Sequence, residues 1–306
     1  MSWRITARAG LTLCVGAQLA CLGSHSRSRS TPTGEHNPAL RVDTGTAFVN
    51  GTHLYYEAVG RGPVVILLHG GNLDCRMWDP QFLPLAHDHR VIRYDLRGSG
   101  KSGPDDVPFQ HHEDLHALLV ALQVSHASLV GLSGGGRIAI DFALVHPDMV
   151  DRLVIASPGL SGWQYSRADS AYFPEARRAR DRADTAALGL AWLGSAYMRP
   201  AMTHPELVPQ LREMAAANGK NWMGLLHHGN LERVADPPAL HRTAQLRAPT
   251  LLIVGTLDVP DIHAIADTLT ASVHNIRRVD FEGAGHMVNM EQPQRFTELA
   301  DAFLRP

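Results

Sequence analysis

The chain has 306 residues, 44% of them hydrophobic and 19% charged, with 28 Lys and Arg against 30 Asp and Glu for a formal net charge of −2 at pH 7. That length accommodates one large α/β domain or two ordinary ones and can bury a sizeable core. The apolar content excludes disorder for the bulk of the chain, and the balanced charge provides no basic field for nucleic acid or acidic lipid, so small molecules are the expected partners.

In chain order, residues 1–23 read as a secretory signal peptide: Arg4 and Arg8, then an apolar stretch from Leu11 to Leu22, then Gly23 and Ser24. The expected location is secreted or periplasmic, with a cytoplasmic protein carrying an unstructured leader as the alternative. Lipidation at Cys21, which would make the exported form a lipoprotein, stays open, although Gln18 occupies the position where a bacterial lipobox usually has a Leu-like residue. A membrane span is disfavoured, because the stretch falls short of the roughly 18 to 20 residues needed. Cys14, Cys21 and Cys75 are the only cysteines, which excludes a disulfide framework. Residues 24–44 are rich in Ser, Arg, Pro, Thr and Gly without apolar period, the pattern of a flexible linker.

The folded part then begins. Asn50-Gly51 between β-prone runs in 47–59 predicts a hairpin. Apolar runs at 64–68, 90–94, 127–131, 152–156, 250–254 and 276–281 suit strands of a parallel sheet covered on both faces. Helical patterns at 111–123, 135–146, 261–272 and about 294–304 alternate with them, which predicts a doubly wound α/β sheet. The alternation breaks once. Residues 159–246 are too long for a loop and carry helical patterns, so they read as an inserted helical cap on a core of 45–158 and 247–306.

The chemistry concentrates at Gly131-Leu132-Ser133-Gly134-Gly135, a G-x-S-x-G between a predicted strand and a predicted helix. Glycines flank the serine because so tight a reversal forces strained backbone geometry and leaves no room for side chains. A serine hydroxyl needs a base, itself oriented by a carboxylate. The best base is His286, in a small-residue loop after the last predicted strand. The best acid is Asp258, just beyond strand 250–254, ahead of Asp261, whose expected role is to cap the helix 261–272. All lie at strand carboxyl ends, and the order Ser133, Asp258, His286 suits the architecture.

On these residues, and on His69-Gly70-Gly71-Asn72 and Asp95-Leu96-Arg97-Gly98-Ser99-Gly100-Lys101-Ser102 after the first two long strands, the chain from about Phe48 to its end resembles an α/β-hydrolase. It departs from the commoner pattern in its three consecutive glycines after Ser133. The resemblance implies an oxyanion hole formed by the amides of Gly71 and Gly134, a structural role for His69, and acyl transfer through Ser133. A serine hydrolase of a small ester is expected; the alternatives are a C–C bond hydrolase, a lactonase or an aminopeptidase of the same fold, or a non-catalytic ligand-binding member. The cap should set substrate choice, with Trp163, Trp192 and Trp222 as substrate-binding candidates and Gly189, Gly194, Gly219 and Gly224 as flexible points.

Three decoys are set aside. Gly134-x-Gly136-x-x-Ala139 matches a dinucleotide fingerprint, but no acidic residue ends the following strand. Gly98 to Ser102 resembles the tail of a phosphate loop, but Asp95 occupies the position where that motif requires glycine, so the segment reads as a tight turn. His112 and His116 lie four apart on a helix with no third ligand in the pattern and read as a solvated face. No cofactor and no metal is assigned.

Overall fold

The computed structural model describes residues 41–166, 173–228 and 230–305, with residues 173 and 222–228 described for their backbone alone. The expected leader and nearly all of the linker lie outside the described residues. In chain order the elements are β1 (Asp43–Val49), β2 (Thr52–Gly60), β3 (Val64–Leu68), α1 (Asp79–Leu85), β4 (Arg90–Tyr94), α2 (His111–Ala121), β5 (Ala127–Leu132), α3 (Gly134–Val145) and β6 (Val150–Ala156). There follow α4 (Phe173–Asp181), α5 (Thr185–Trp192), α6 (Val208–His228), β7 (Thr250–Gly255), α7 (Pro260–Ser272), β8 (Ile276–Phe281), α8 (Val288–Glu291) and α9 (Pro293–Leu304). Among the described residues no helix is long and apolar enough to cross a membrane.

The strands form one sheet of eight in the order β1-β2-β4-β3-β5-β6-β7-β8. β1 and β2 are antiparallel, joined by the Asn50-Gly51 turn with both residues at positive φ, 46° and 77°, as a two-residue hairpin turn requires. β2 also pairs antiparallel with β4, and from β4 onwards every pairing is parallel. The expected doubly wound α/β sheet is present.

The apolar runs read as strands because their alternate residues enter different cores. Ile66, Leu68, Leu129, Leu153 and Ile155 join one apolar cluster with residues of α2, α3 and α7. Val65, Leu67, Val130, Leu132, Val154 and Ala156 join the other with α1 and α9. Helices therefore cover both faces. The helix α1 is not signalled by its sequence, because Pro80 in its first turn and Pro84 inside it argue against a helix.

Between β6 and β7 lie α4, α5 and α6. The glycines read there as flexible points divide. A Cβ on Gly189 would meet the Ala215 carbonyl oxygen at 1.8 Å, and one on Gly219 the Thr185 carbonyl oxygen at the same distance. These two are where α5 and α6 cross in backbone contact, so they are packing positions rather than hinges. The segment is also tied to the core through α6, where buried Asn218 donates to Asp74 Oδ2 (2.9 Å) and accepts from the Gly100 amide (2.7 Å).

Candidate active site

β5 ends at Leu132 and α3 begins at Gly134, so Ser133 occupies the reversal alone, with φ 55° and ψ −115°. Positive φ in a non-glycine residue is strained and persists only where its surroundings over-determine it. Here they do: the Ser133 amide donates to the Ala156 carbonyl (2.9 Å), and its carbonyl accepts from the amides of Arg137 and Gly159 (both 3.0 Å). The neighbouring glycines follow from close approach. A Cβ on Gly131 would come within 2.4 Å of the Gly135 carbonyl oxygen, and one on Gly135 within 2.1 Å of that of Leu68. A Cβ on Gly136 would likewise come within 2.9 Å of Pro158 Cβ. The triple glycine thus lets the start of α3 pass directly over the end of β3.

His286 lies in the loop between β8 and α8, its imidazole buried. Its Nδ1 is 3.0 Å from both carboxylate oxygens of Asp258, whose side chain is fully enclosed in the turn after β7. The edge of the Tyr197 ring meets the imidazole at 4.9 Å between centroids. The loop itself is gripped by Glu291, which accepts from the amides of Gly285 (2.7 Å) and Met287 (2.9 Å), on either side of His286. Burial pushes the Glu291 carboxyl above the usual range despite those two hydrogen bonds. No local pattern in the sequence marks Glu291 for this task.

Ser133 and His286 line one cavity of about 320 Å³ together with Gly71 and Gly134, and with Trp192 and Tyr197 from the segment between β6 and β7. The Gly71 amide nitrogen lies 3.4 Å from where a Gly134 side chain would begin, so the two backbones are adjacent at the mouth of the elbow. His69 is fully buried and engaged at both ring nitrogens: Nε2 accepts from the Leu96 amide (2.9 Å) and Nδ1 faces the Gly70 carbonyl (2.7 Å). It braces two loops against each other. The 98–102 segment closes on Asp95, whose carboxylate accepts from the amides of Cys75 and Lys101. With the Gly98 amide donating to the Gly103 carbonyl and that of Gly100 to Asn218, no cradle of free amides is left for a phosphate.

Three expectations are corrected or displaced. Asp261 does not cap α7, whose N-cap is Val259 without a side-chain bond. Its carboxylate instead accepts from the Ser166 amide and hydroxyl (2.9 and 2.6 Å) and the Trp163 indole (3.4 Å), tying the chain after β6 to α7. Trp163 is thereby turned to Asp261 and is not among the described residues lining the cavity, which Trp192 does line. The Trp222 side chain lies outside the described residues. His112 is buried rather than solvated.

A second cavity, of about 310 Å³, shares Gly71, Asn72, Gly134 and Arg137 with the first, and its wall includes Asp105, His111 and Glu232 beside apolar residues such as Phe109 and Ile138. Arg137 lies one helical turn after Ser133, and no sequence pattern marks it. Its Nη2 donates to both carboxylate oxygens of Glu232 (2.6 and 2.9 Å), and it stands between the two chambers. Burial opposes charge on both partners, but the attraction between them, with Asp141 beside Arg137 and His111 beside Glu232, outweighs it; the guanidinium is raised and the Glu232 carboxyl lowered from their usual ranges.

An eight-stranded, mostly parallel sheet with a strained serine at its central strand-to-helix turn defines the class. The family profile described as alpha/beta hydrolase fold matches residues 63–293, and the chain belongs to that family. It is a hydrolase of the α/β fold. A putative carbamate hydrolase RutD of Azorhizobium caulinodans is 29% identical over 261 residues, which cover 82% of this chain and 94% of that one. Among solved structures, the enol-lactonase of Burkholderia xenovorans LB400 is similar with TM-score 0.67 and 26% identity, covering 85% of this chain and 99% of the other. A thermophilic esterase of Thermogutta terrifontis is similar at the same TM-score and identity, covering 87% and 98%.

Proposed function

We propose that the protein is a serine hydrolase that cleaves a small carboxylic ester through an acyl-enzyme on Ser133. The observation that carries the reading is the Asp258 carboxylate holding His286 Nδ1 at 3.0 Å in a loop that shares one cavity with the strained Ser133. With Nδ1–H donated to Asp258, Nε2 is the free base. It takes the Ser133 proton as Oγ bonds to the carbonyl carbon, and the amides of Gly71 and Gly134 stabilise the oxyanion. Collapse breaks the bond to the leaving alkoxide, which takes the proton from His286. Water, deprotonated by His286, then attacks the acyl group; the carboxylic acid departs and Ser133 recovers its proton. The similarity to an esterase and an enol-lactonase supports an oxygen ester, open or cyclic, as the scissile group.

A panel of p-nitrophenyl esters of rising chain length, set beside simple lactones and aryl amides, tests the substrate class; turnover confined to the amides would overturn the ester reading. On the best ester, Asp258→Asn should lower kcat by about 10³- to 10⁴-fold through loss of the correct imidazole tautomer, while Asp261→Asn stays within a few-fold. Initial rates that reverse this order would move the acid role to Asp261.

We further propose that the segment 159–246 is a cap that sets substrate choice without supplying a catalytic group. Trp192 and Tyr197 supply aromatic wall to the cavity that holds Ser133 and His286, and the neighbouring cavity carries Glu232. Trp192→Ala should therefore change relative kcat/KM between long and short acyl chains by roughly 10- to 200-fold, more than it changes the rate on the acetate ester. A uniform loss across chain lengths would assign selectivity to the core loops.

A further inference from the structure

The histidines of α2 reappear in the structure with a partner the linear pattern did not suggest. Glu113 and His116, three apart, share one face of the helix. His146, the residue that follows α3, meets them there. Its ring is stacked on that of His116, 4.3 Å between centroids and 3° between planes, and its Nε2 lies 3.2 Å from Glu113 Oε1. One ligand atom from each of the three lies within 4.8 Å of the other two, and all three side chains are partly exposed.

We propose that Glu113, His116 and His146 form a binding site for a divalent transition ion of the zinc type, structural rather than catalytic. Two imidazoles and one carboxylate are a donor set that zinc favours, at about 2.0–2.2 Å per ligand, with water completing the tetrahedron. Tetrahedral ligands lie about 3.4 Å apart at those bond lengths, so the ligand atoms, now within 4.8 Å of one another, must draw together, and at least one of the two parallel imidazoles must turn out of the stack. The backbone beneath is firmly held. The His146 amide donates to the Phe142 carbonyl (2.7 Å) and its ring also packs on Phe142, while the Glu113 carbonyl accepts from Asn50 (3.1 Å). The site would clamp α2 to the far end of α3, the helix that follows Ser133. With 12 residues in α3, that is about 18 Å from the nucleophile, too far for the ion to touch substrate.

The test uses the full chain stripped with a chelator, titrated with ZnCl₂ by calorimetry and followed by thermal unfolding. One ion should bind with a Kd below about 100 µM and raise Tm. His116→Ala and His146→Ala should each weaken binding at least about tenfold and abolish the Tm rise, and Glu113→Gln, which preserves the packing, should weaken it as well. His274→Ala, at an exposed position away from α2 and α3, should change neither. Weaker binding than this in the unaltered chain, or the same Kd in the His116 and His146 variants, would overturn the proposal. Ester turnover is a separate readout, and its failure would leave the metal result standing.

Discussion

Ser133→Ala is expected to lower ester turnover by on the order of 10⁵- to 10⁶-fold while leaving the protein folded. The loss is that large because the hydroxyl forms the covalent bond, and what remains after its removal is binding and oxyanion stabilisation alone. Stability should hardly change. The strained φ of 55° belongs to the turn and is set by three backbone hydrogen bonds that alanine keeps. Steady-state kinetics with circular dichroism on the purified variant measure both, and a fluorophosphonate probe should label the parent chain at Ser133 and fail to label the variant. His286→Ala should be comparably damaging, since serine and base act as a unit. Turnover near the parent rate in a folded Ser133→Ala protein would rule out the acyl-enzyme.

Asp114→Ala should cause the largest loss of stability among single changes outside the apolar core, about 3–5 kcal/mol. Asp114 and Arg97 are both almost fully enclosed and form a two-pronged pair, Nε to Oδ2 and Nη2 to Oδ1, both at 2.8 Å. Asp114 also accepts from the Asn50 side chain (3.0 Å), so one carboxylate joins the hairpin turn, the loop after β4 and α2. Removing it leaves the Arg97 guanidinium buried without a counter-charge. Urea unfolding gives the difference directly. Replacing both residues by apolar ones, Arg97→Met with Asp114→Leu, should cost less than Asp114→Ala alone, because the penalty comes from the orphaned charge. A single variant within about 1 kcal/mol of the parent would mean that water reaches the guanidinium.

Much of this fold is legible in one dimension because its signals are local. A run such as Val64–Leu68, apolar at every position, suits a strand covered on both faces and is buried at all but its first residue, and β5 and β7 are buried at every residue. Asn50-Gly51 specifies its turn through the φ values those two residues tolerate. Ser133 between glycines marks an elbow because the constraint lies within the turn and the strand beside it. Asp258 and His286 could be named because strand ends in a parallel sheet converge on one edge, so their position in the chain implies their place in space.

Tertiary structure decided everything that depends on which distant backbone comes near. The neighbours of Asp261 in the chain suggest a helix cap, yet its partners are Trp163 and Ser166, almost a hundred residues away. Gly189 and Gly219 have the composition of hinges, but the crossing of α5 and α6 makes them contact points. Glu291 grips the His286 loop, and Arg137 meets Glu232, through distances that no periodicity encodes. In the sequence His116 pairs only with His112, four residues before it, whereas the fold sets His146, just after α3, against it. Local conformational preference reaches one or two turns of helix or one hairpin; beyond that range, partners are chosen by how the helices pack on the sheet.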